Sequence, residues 1–120
     1  MRAEPIKVTI ARLAKYGYKS IEISGEPEQF GQNGSKDTKK LLDDHGLKCW
    51  GSVTLMLGER NLVAADRGQR AKSVQYTKDC ITMVKELDGY EMTIVPATVG
   101  KIVADATPEE EWKWAVESMK

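Results

Sequence analysis

Apolar positions along the chain switch between two periods. Ile6, Ile10 and Leu13 recur at helical spacing behind Pro5, a residue suited to a first helical turn, and Gly17 closes the run. Tyr18 to Ser24 then alternates, with Ile21 and Ile23 on one side and Ser20, Glu22 and Ser24 on the other. The spacing predicts a helix over 5–16 and a strand over 18–24. The same succession returns twice. Leu41, Leu42 and His45 lead to Gly46 and the apolar stretch from Leu47 to Thr54, a helix over 35–45 and a strand over 47–54. Asp66, a good N-cap, opens a longer stripe of Ala71, Val74, Thr77, Ile81, Val84 and Leu87 that stops at Gly89. This predicts a helix over 66–87, then a strand over 91–95 that Pro96 ends. Thr107-Pro108-Glu109-Glu110 joins an N-cap, a first-turn proline and a capping-box glutamate, so a helix over 108–119 carries Trp112, Val116 and Met119 on one side.

Strands separated by helices, with no hairpin turn between them, run parallel. The expected fold is therefore α/β, in the order α-β-α-β-α-β-α, with three strands and about four helices forming part of a parallel (β/α) TIM barrel in one domain over 1–120. A parallel sheet needs cover on both faces, and three strands are few for one. The first helix has no strand before it and the last has none after it, so the repeat reads as incomplete at both ends. The loops are lopsided. Helix-to-strand turns are a glycine or little more, whereas the segments after the strands are long: 25–34, 55–65 and 97–106. Barrels and open α/β sheets place their sites at the carboxyl ends of strands, so the long loops mark the functional end and the short turns the scaffold end.

Composition removes several classes. Lysine and arginine number 18, aspartate and glutamate 18, and the net charge is zero, so no basic face is available for a nucleic acid backbone. No apolar stretch approaches the roughly 18 residues of a membrane span, and Met1 to Pro5 forms no leader, which points to a cytoplasmic protein. Cys49 and Cys80 fit neither a CxxC pair nor a disulfide framework and read as reduced core residues. His45, the sole histidine, sits in a last helical turn, where a capping role suits it.

Glu22 is the acid nearest the carboxyl end of its strand on the side that would face a barrel interior. It either pairs with an arginine or lysine inside the sheet or contacts a ligand. In the second strand Trp50, Ser52 and Thr54 alternate with Cys49, Gly51 and Val53. The hydroxyls of Ser52 and Thr54 would then either bond a hydroxylated substrate or satisfy neighbouring backbone. Gly51 suggests close approach of a backbone or ligand. The loop from Leu55 to Leu62 mixes apolar residues with Glu59 and Arg60, as a lid or an interface would, while Gly25-Glu26-Pro27-Glu28 reads as a solvated acidic turn. Trp112 and Trp114 cannot both face the core from one helix. No phosphate loop, nucleophile elbow, HExxH or zinc spacing occurs, and one histidine at the scaffold end cannot assemble a triad.

In combination and in order, Tyr16-Gly17-Tyr18-Lys19-Ser20-Ile21-Glu22-Ile23, Leu41-Leu42-Asp43-Asp44-His45-Gly46-Leu47-Lys48-Cys49 and Arg60-Asn61-Leu62 with Asp66 and Arg70 resemble the sugar phosphate isomerase/epimerase family, whose members are xylose-isomerase-like TIM barrels. The resemblance implies that the chain runs from the first helix through the second, third and fourth barrel strands. It implies a sugar substrate and a divalent metal, manganese, magnesium or cobalt, held by two glutamates, an aspartate and a histidine on later strands. In that chemistry the glutamates move a proton at a carbon beside a carbonyl. None of those positions falls in this sequence, so no catalytic residue, metal ligand or bound metal is expected in this chain alone. What carries over is a substrate-binding pocket wall: Glu22, Ser52, Thr54, and the loops around Arg60 and Thr98. Two readings follow. One is part of a metal-dependent sugar isomerase or epimerase. The other is a noncatalytic half-barrel that self-associates or docks on a complementary barrel half.

Overall fold

A computed structural model describes residues 4–24, 26–30 and 34–120. The element order is α1 (Ile6–Lys15), β1 (Ser20–Glu22), α2 (Pro27–Phe30), α3 (Gly34–Asp44), β2 (Lys48–Val53), α4 (Arg67–Glu86), β3 (Glu91–Thr93) and α5 (Pro108–Ser118). The strands form one parallel sheet in the order β1-β2-β3. This is the expected partial barrel wall, with one short helix, α2, that the periodicity does not show. The ladders are shorter than the alternating stretches, although single hydrogen bonds extend them, from Ile23 N–H to Gly51 O and from Thr54 N–H to Thr93 O.

The helix ends are built alike. After α1, the Gly17 N–H reaches Ala14 O at 3.0 Å and the Tyr18 N–H reaches Leu13 O at 3.1 Å; after α3, Gly46 and Leu47 repeat this on Asp43 and Leu42. These are Schellman caps, which need a left-handed residue, and Gly17 (φ +83°) and Gly46 (φ +68°) supply it. After α4 the pattern departs from expectation. Asp88, not Gly89, takes the left-handed position (φ 54°), and the Gly89 N–H bonds Val84 O at 2.9 Å. Gly89 is glycine for space instead, since a Cβ would lie 2.6 Å from Val84 Cγ1.

The core lies on the helix-facing side of the sheet. Ile10 of α1, Leu42 of α3, and Met83, Val84 and Leu87 at the end of α4 close over Ile23, Leu47 and Cys49. A second cluster of Met56, Leu62, Tyr76 and Cys80 sits beneath the carboxyl ends of the strands. The buried stripe of α4 is Ser73, Tyr76, Thr77, Cys80, Met83 and Val84, so Ala71 and Ile81 fall outside it and Ile81 is exposed. Ser73 and Thr77 can be buried because their hydroxyls donate to Gln69 O and Ser73 O, each at 2.9 Å. On α5 the expected face is also displaced. Trp112, Val116 and Met119 are exposed, while Trp114 lies under Arg70 at 5.0 Å and the Ser118 hydroxyl donates to Leu62 O. Two N-caps hold as read: Asp66 accepts the Gln69 N–H, and Thr107 with Glu110 forms the full capping box.

Pairing in the sheet corrects one strand's phase. Ile21 pairs with Cys49, but Glu22 pairs with Gly51, so Trp50 is an extra residue on β2. Gly51, Ser52 and Val53 then pair with Glu91, Met92 and Thr93. Met92 packs into the core, so its partner Ser52 faces the helices too, and Thr54 follows by alternation; both are 1% exposed. The bulge thus separates Ser52 and Thr54 from Trp50, with which alternation alone would group them. Glu22, Trp50, Gly51, Val53, Glu91 and Thr93 are left on the open face.

Candidate functional site

The three long connections meet at the carboxyl ends of the strands. The Leu62 N–H bonds Pro96 O at 2.8 Å, the Val99 N–H bonds Met56 O at 2.7 Å, and the Thr98 hydroxyl donates to Arg60 O at 2.7 Å. The segment after β2 is tied down from within as well. Asn61, 1% exposed, accepts the Val63 N–H at its side-chain oxygen, and its own N–H bonds the Ser73 hydroxyl. The Leu55 N–H donates to the Tyr76 phenol at 3.0 Å. A rim of this kind is a fixed surface, since its backbone groups are satisfied by neighbouring loops.

Arg60 is the centre of a cluster. Its Nη1 contacts both Glu26 carboxylate oxygens, at 2.8 and 2.7 Å, and donates to Leu55 O at 3.1 Å, while the guanidinium stacks 3.8 Å from the Tyr76 ring centroid. The Tyr76 hydroxyl donates to the same Glu26 carboxylate at 3.4 Å. Burial, first among the causes, pushes the Tyr76 phenol well above its ordinary range and keeps it protonated. Burial alone would lower the Arg60 pKa, but Glu26 more than offsets it and holds the guanidinium above its usual value. The cluster borders a cleft of about 870 Å³ between the loops and α4, with Glu26, Leu55, Arg60, Lys72, Tyr76 and Asp79 in its lining.

The expected pocket residues divide into three places. Glu22 stands on the open face with its side chain exposed. Ser52 and Thr54 lie in the helix-facing layer, where Thr54 Oγ1 accepts the Val95 N–H at 2.9 Å and Ser52 Oγ has no hydrogen-bond partner among the described residues. Arg60 and Thr98 are joined at the rim, with the guanidinium turned to α4. Glu26 and Tyr76 were missed by sequence reasoning. Glu26 reads as part of a solvated turn and becomes part-buried through Arg60, 34 positions away. A signal for Tyr76 existed in its spacing of four from Cys80, a stripe neighbouring the one read. Gly25 of the acidic turn lies outside the described residues.

The divalent metal that the resemblance implies needs several converging oxygen or nitrogen donors. Among the described residues no three His, Cys, Asp or Glu side chains gather to hold an ion, and Glu26 is already committed to Arg60 and Tyr76. The residues present do not fit that ligand set. Among the described residues no helix is long and apolar enough to cross a membrane.

Residues 10–120 match the family described as the xylose isomerase-like TIM barrel. Comparison with curated proteins gives no match. Similar solved structures include D-psicose 3-epimerase with D-tagatose from Clostridium cellulolyticum H10, at 20% identity and a TM-score of 0.79 over 98% of this chain and 41% of that one. D-allulose 3-epimerase from Methylomonas sp., in complex with D-allulose, is 24% identical with a TM-score of 0.81 over 94% of this chain and 38% of that one. L-ribulose 3-epimerase is 18% identical with a TM-score of 0.73 over 93% and 36%. The chain spans about two fifths of the length of these proteins, and at such identities the likeness is one of fold.

Proposed function

The chain belongs to the xylose isomerase-like TIM barrel family, and from that we propose that it forms the part of a sugar isomerase or epimerase barrel that walls the substrate pocket. The observation that carries this reading is the tying of the loops after β2 and β3 into one rim above an open sheet face that presents Glu22. In it, Glu22 accepts hydrogen bonds from sugar hydroxyls, and Arg60 and Thr98 hold the rim rather than touch the substrate. Ser52 and Thr54 are left out of the binding surface, being on the helix side.

The reaction class is proton transfer at a carbon beside a carbonyl, with the groups that move the proton, and the divalent metal that would polarise the oxygens, supplied from outside these residues. The open face favours an unphosphorylated sugar, since the exposed Glu22 and Glu91 lie in one row of it and a pair of carboxylates repels phosphate. We place the protein in the cytoplasm on the same reading.

The test is amide NMR of the labelled chain with D-allulose, D-fructose and their phosphates. Perturbations are expected around Glu22, Thr93 and Thr98, smaller for the phosphates and lost in Glu22→Ala. No response along that rim would sink the reading. Turnover of a ketohexose by the isolated chain with manganese would overturn the part that places the catalytic groups elsewhere.

A further inference from the structure

The strand order β1-β2-β3 sets the connection after β2 between the other two, and Arg60 lies on it. Its side chain and its backbone turn to different neighbours. The guanidinium holds both carboxylate oxygens of Glu26, which follows β1, at 2.8 and 2.7 Å. The backbone oxygen of Arg60 accepts the hydroxyl of Thr98, which follows β3, at 2.7 Å. Among the described residues no hydrogen bond or ion pair runs directly from the segment after β1 to the segment after β3, so the two are joined only across the middle connection. The same guanidinium is fixed further by the Leu55 oxygen at 3.1 Å and by the Tyr76 ring at 3.8 Å. A planar fork held on several sides has little freedom left, and the backbone that carries it is held with it.

We propose that Arg60 is a positioning residue, whose side chain joins the three connections into one unit that opens and closes whole. Glu22 ends β1 at one edge of the sheet and Thr93 ends β3 at the other, so the spacing of the outer connections is the width of the pocket mouth. Arg60 sets that width. The role toward a sugar rests on the pocket-wall reading, whereas the joining of the rim does not. Three independent loops would each open separately at a low cost, and each would lose conformational entropy when a sugar ordered it. A rim joined beforehand is spared that loss and binds more tightly.

Amide hydrogen exchange tests the unit. The Leu62 and Val99 amides report on it, because they cross between the connections after β2 and β3, to the Pro96 and Met56 oxygens, and neither residue hydrogen-bonds Glu26. The Leu47 amide, bonded to Leu42 O at 2.9 Å before β2, is the reference. In Glu26→Gln, which removes the charge and keeps the shape, Leu62 and Val99 should lose about tenfold more protection than Leu47. Arg60→Lys should show the same pattern, since it gives up the fork and the stack. Both positions lie outside the two core clusters, so the fold is kept. A loss that stops at Leu55, beside the cluster, or one equally large at Leu47, the mark of a merely less stable chain, would overturn the proposal. In a titration with D-allulose, the dissociation constant read from the Glu22 and Thr93 amides should rise about fivefold or more in Glu26→Gln. A parent that ignores D-allulose while its variants lose rim protection as a unit would overturn the pocket reading and leave the joined rim. A Glu26→Gln chain that binds D-allulose as tightly as the parent would overturn the positioning role and leave the pocket.

Discussion

The guanidinium of Arg60 stacks 3.8 Å from the Tyr76 ring centroid while its Nη1 holds Glu26, so one side chain fastens the loop after β2 both to α4 and to the segment before α2. Glu26 is only 15% exposed, and removing its cation leaves a carboxylate in a poorly solvated place. Arg60→Ala should cost about 2 kcal/mol, discounted from a fully buried pair because Arg60 keeps some solvent contact. Arg60→Lys should fall between, since it keeps the charge and loses the planar stack. Urea unfolding midpoints are the check. Equal midpoints for all three chains would show the cluster to be ornamental to stability.

Gly51 lies where β2 and β3 come too close for a side chain. A Cβ there would sit 2.4 Å from the backbone oxygen of Glu91. Gly51→Ala should therefore cost about 3 kcal/mol or more by prying the strands apart. Gly17→Ala meets no atom and strains only φ, at about 1 kcal/mol. The ranking of the two by thermal unfolding is the measurement, and a Gly51→Ala chain as stable as Gly17→Ala would refute the close approach.

Features set within one helical turn were legible in the sequence. Asp66 caps Gln69, and Thr107 with Glu110 forms its box, because each partner lies three positions away. What depends on distant chain was hidden. The bulge at Trp50 arises where β2 meets β1, and no alternation pattern within Lys48–Val53 announces an extra residue. Glu26 looks like any acidic turn residue until Arg60 folds over it. The face of α4 was misjudged in part for a chemical reason: Ser73 looks polar but returns its hydroxyl to the helix backbone, as Thr77 of the expected stripe also does, whereas Ile81 looks apolar and is left outside.

Ser52 and Thr54 are equally buried but should respond oppositely to loss of the hydroxyl. Thr54 Oγ1 accepts the Val95 N–H, and Thr54→Val strands that donor at the end of β3, costing about 1–2 kcal/mol. Ser52 Oγ is buried without a partner among the described residues, so Ser52→Ala should be neutral or slightly stabilising. Urea midpoints decide. A Ser52→Ala chain destabilised as much as Thr54→Val would mean that Ser52 has a bond the structure does not show.

Cys49 and Cys80, 2% and 0% exposed, link burial to pH. Burial, the largest cause for each, pushes both thiols above their ordinary value of 9.0. Below 9.0 both folded and unfolded chains keep the protons, and the stability that burial of the neutral thiols confers is fully present. As pH rises through that value the unfolded chain loses its thiol protons first. The folded chain then binds more protons than the unfolded one, so stability falls with rising pH until the folded pKa values are passed. Raised values for Tyr76 and Lys39 act in the same direction, so the cysteines must be isolated by comparison. The drop in urea midpoint from about pH 7 to about pH 10 should be smaller in a Cys49→Ala/Cys80→Ala chain than in the parent. Native thiols should also react slowly with an aromatic disulfide reagent and rapidly once unfolded. Equal drops in the two chains, together with fast native labelling, would show that the thiols are not held in the core.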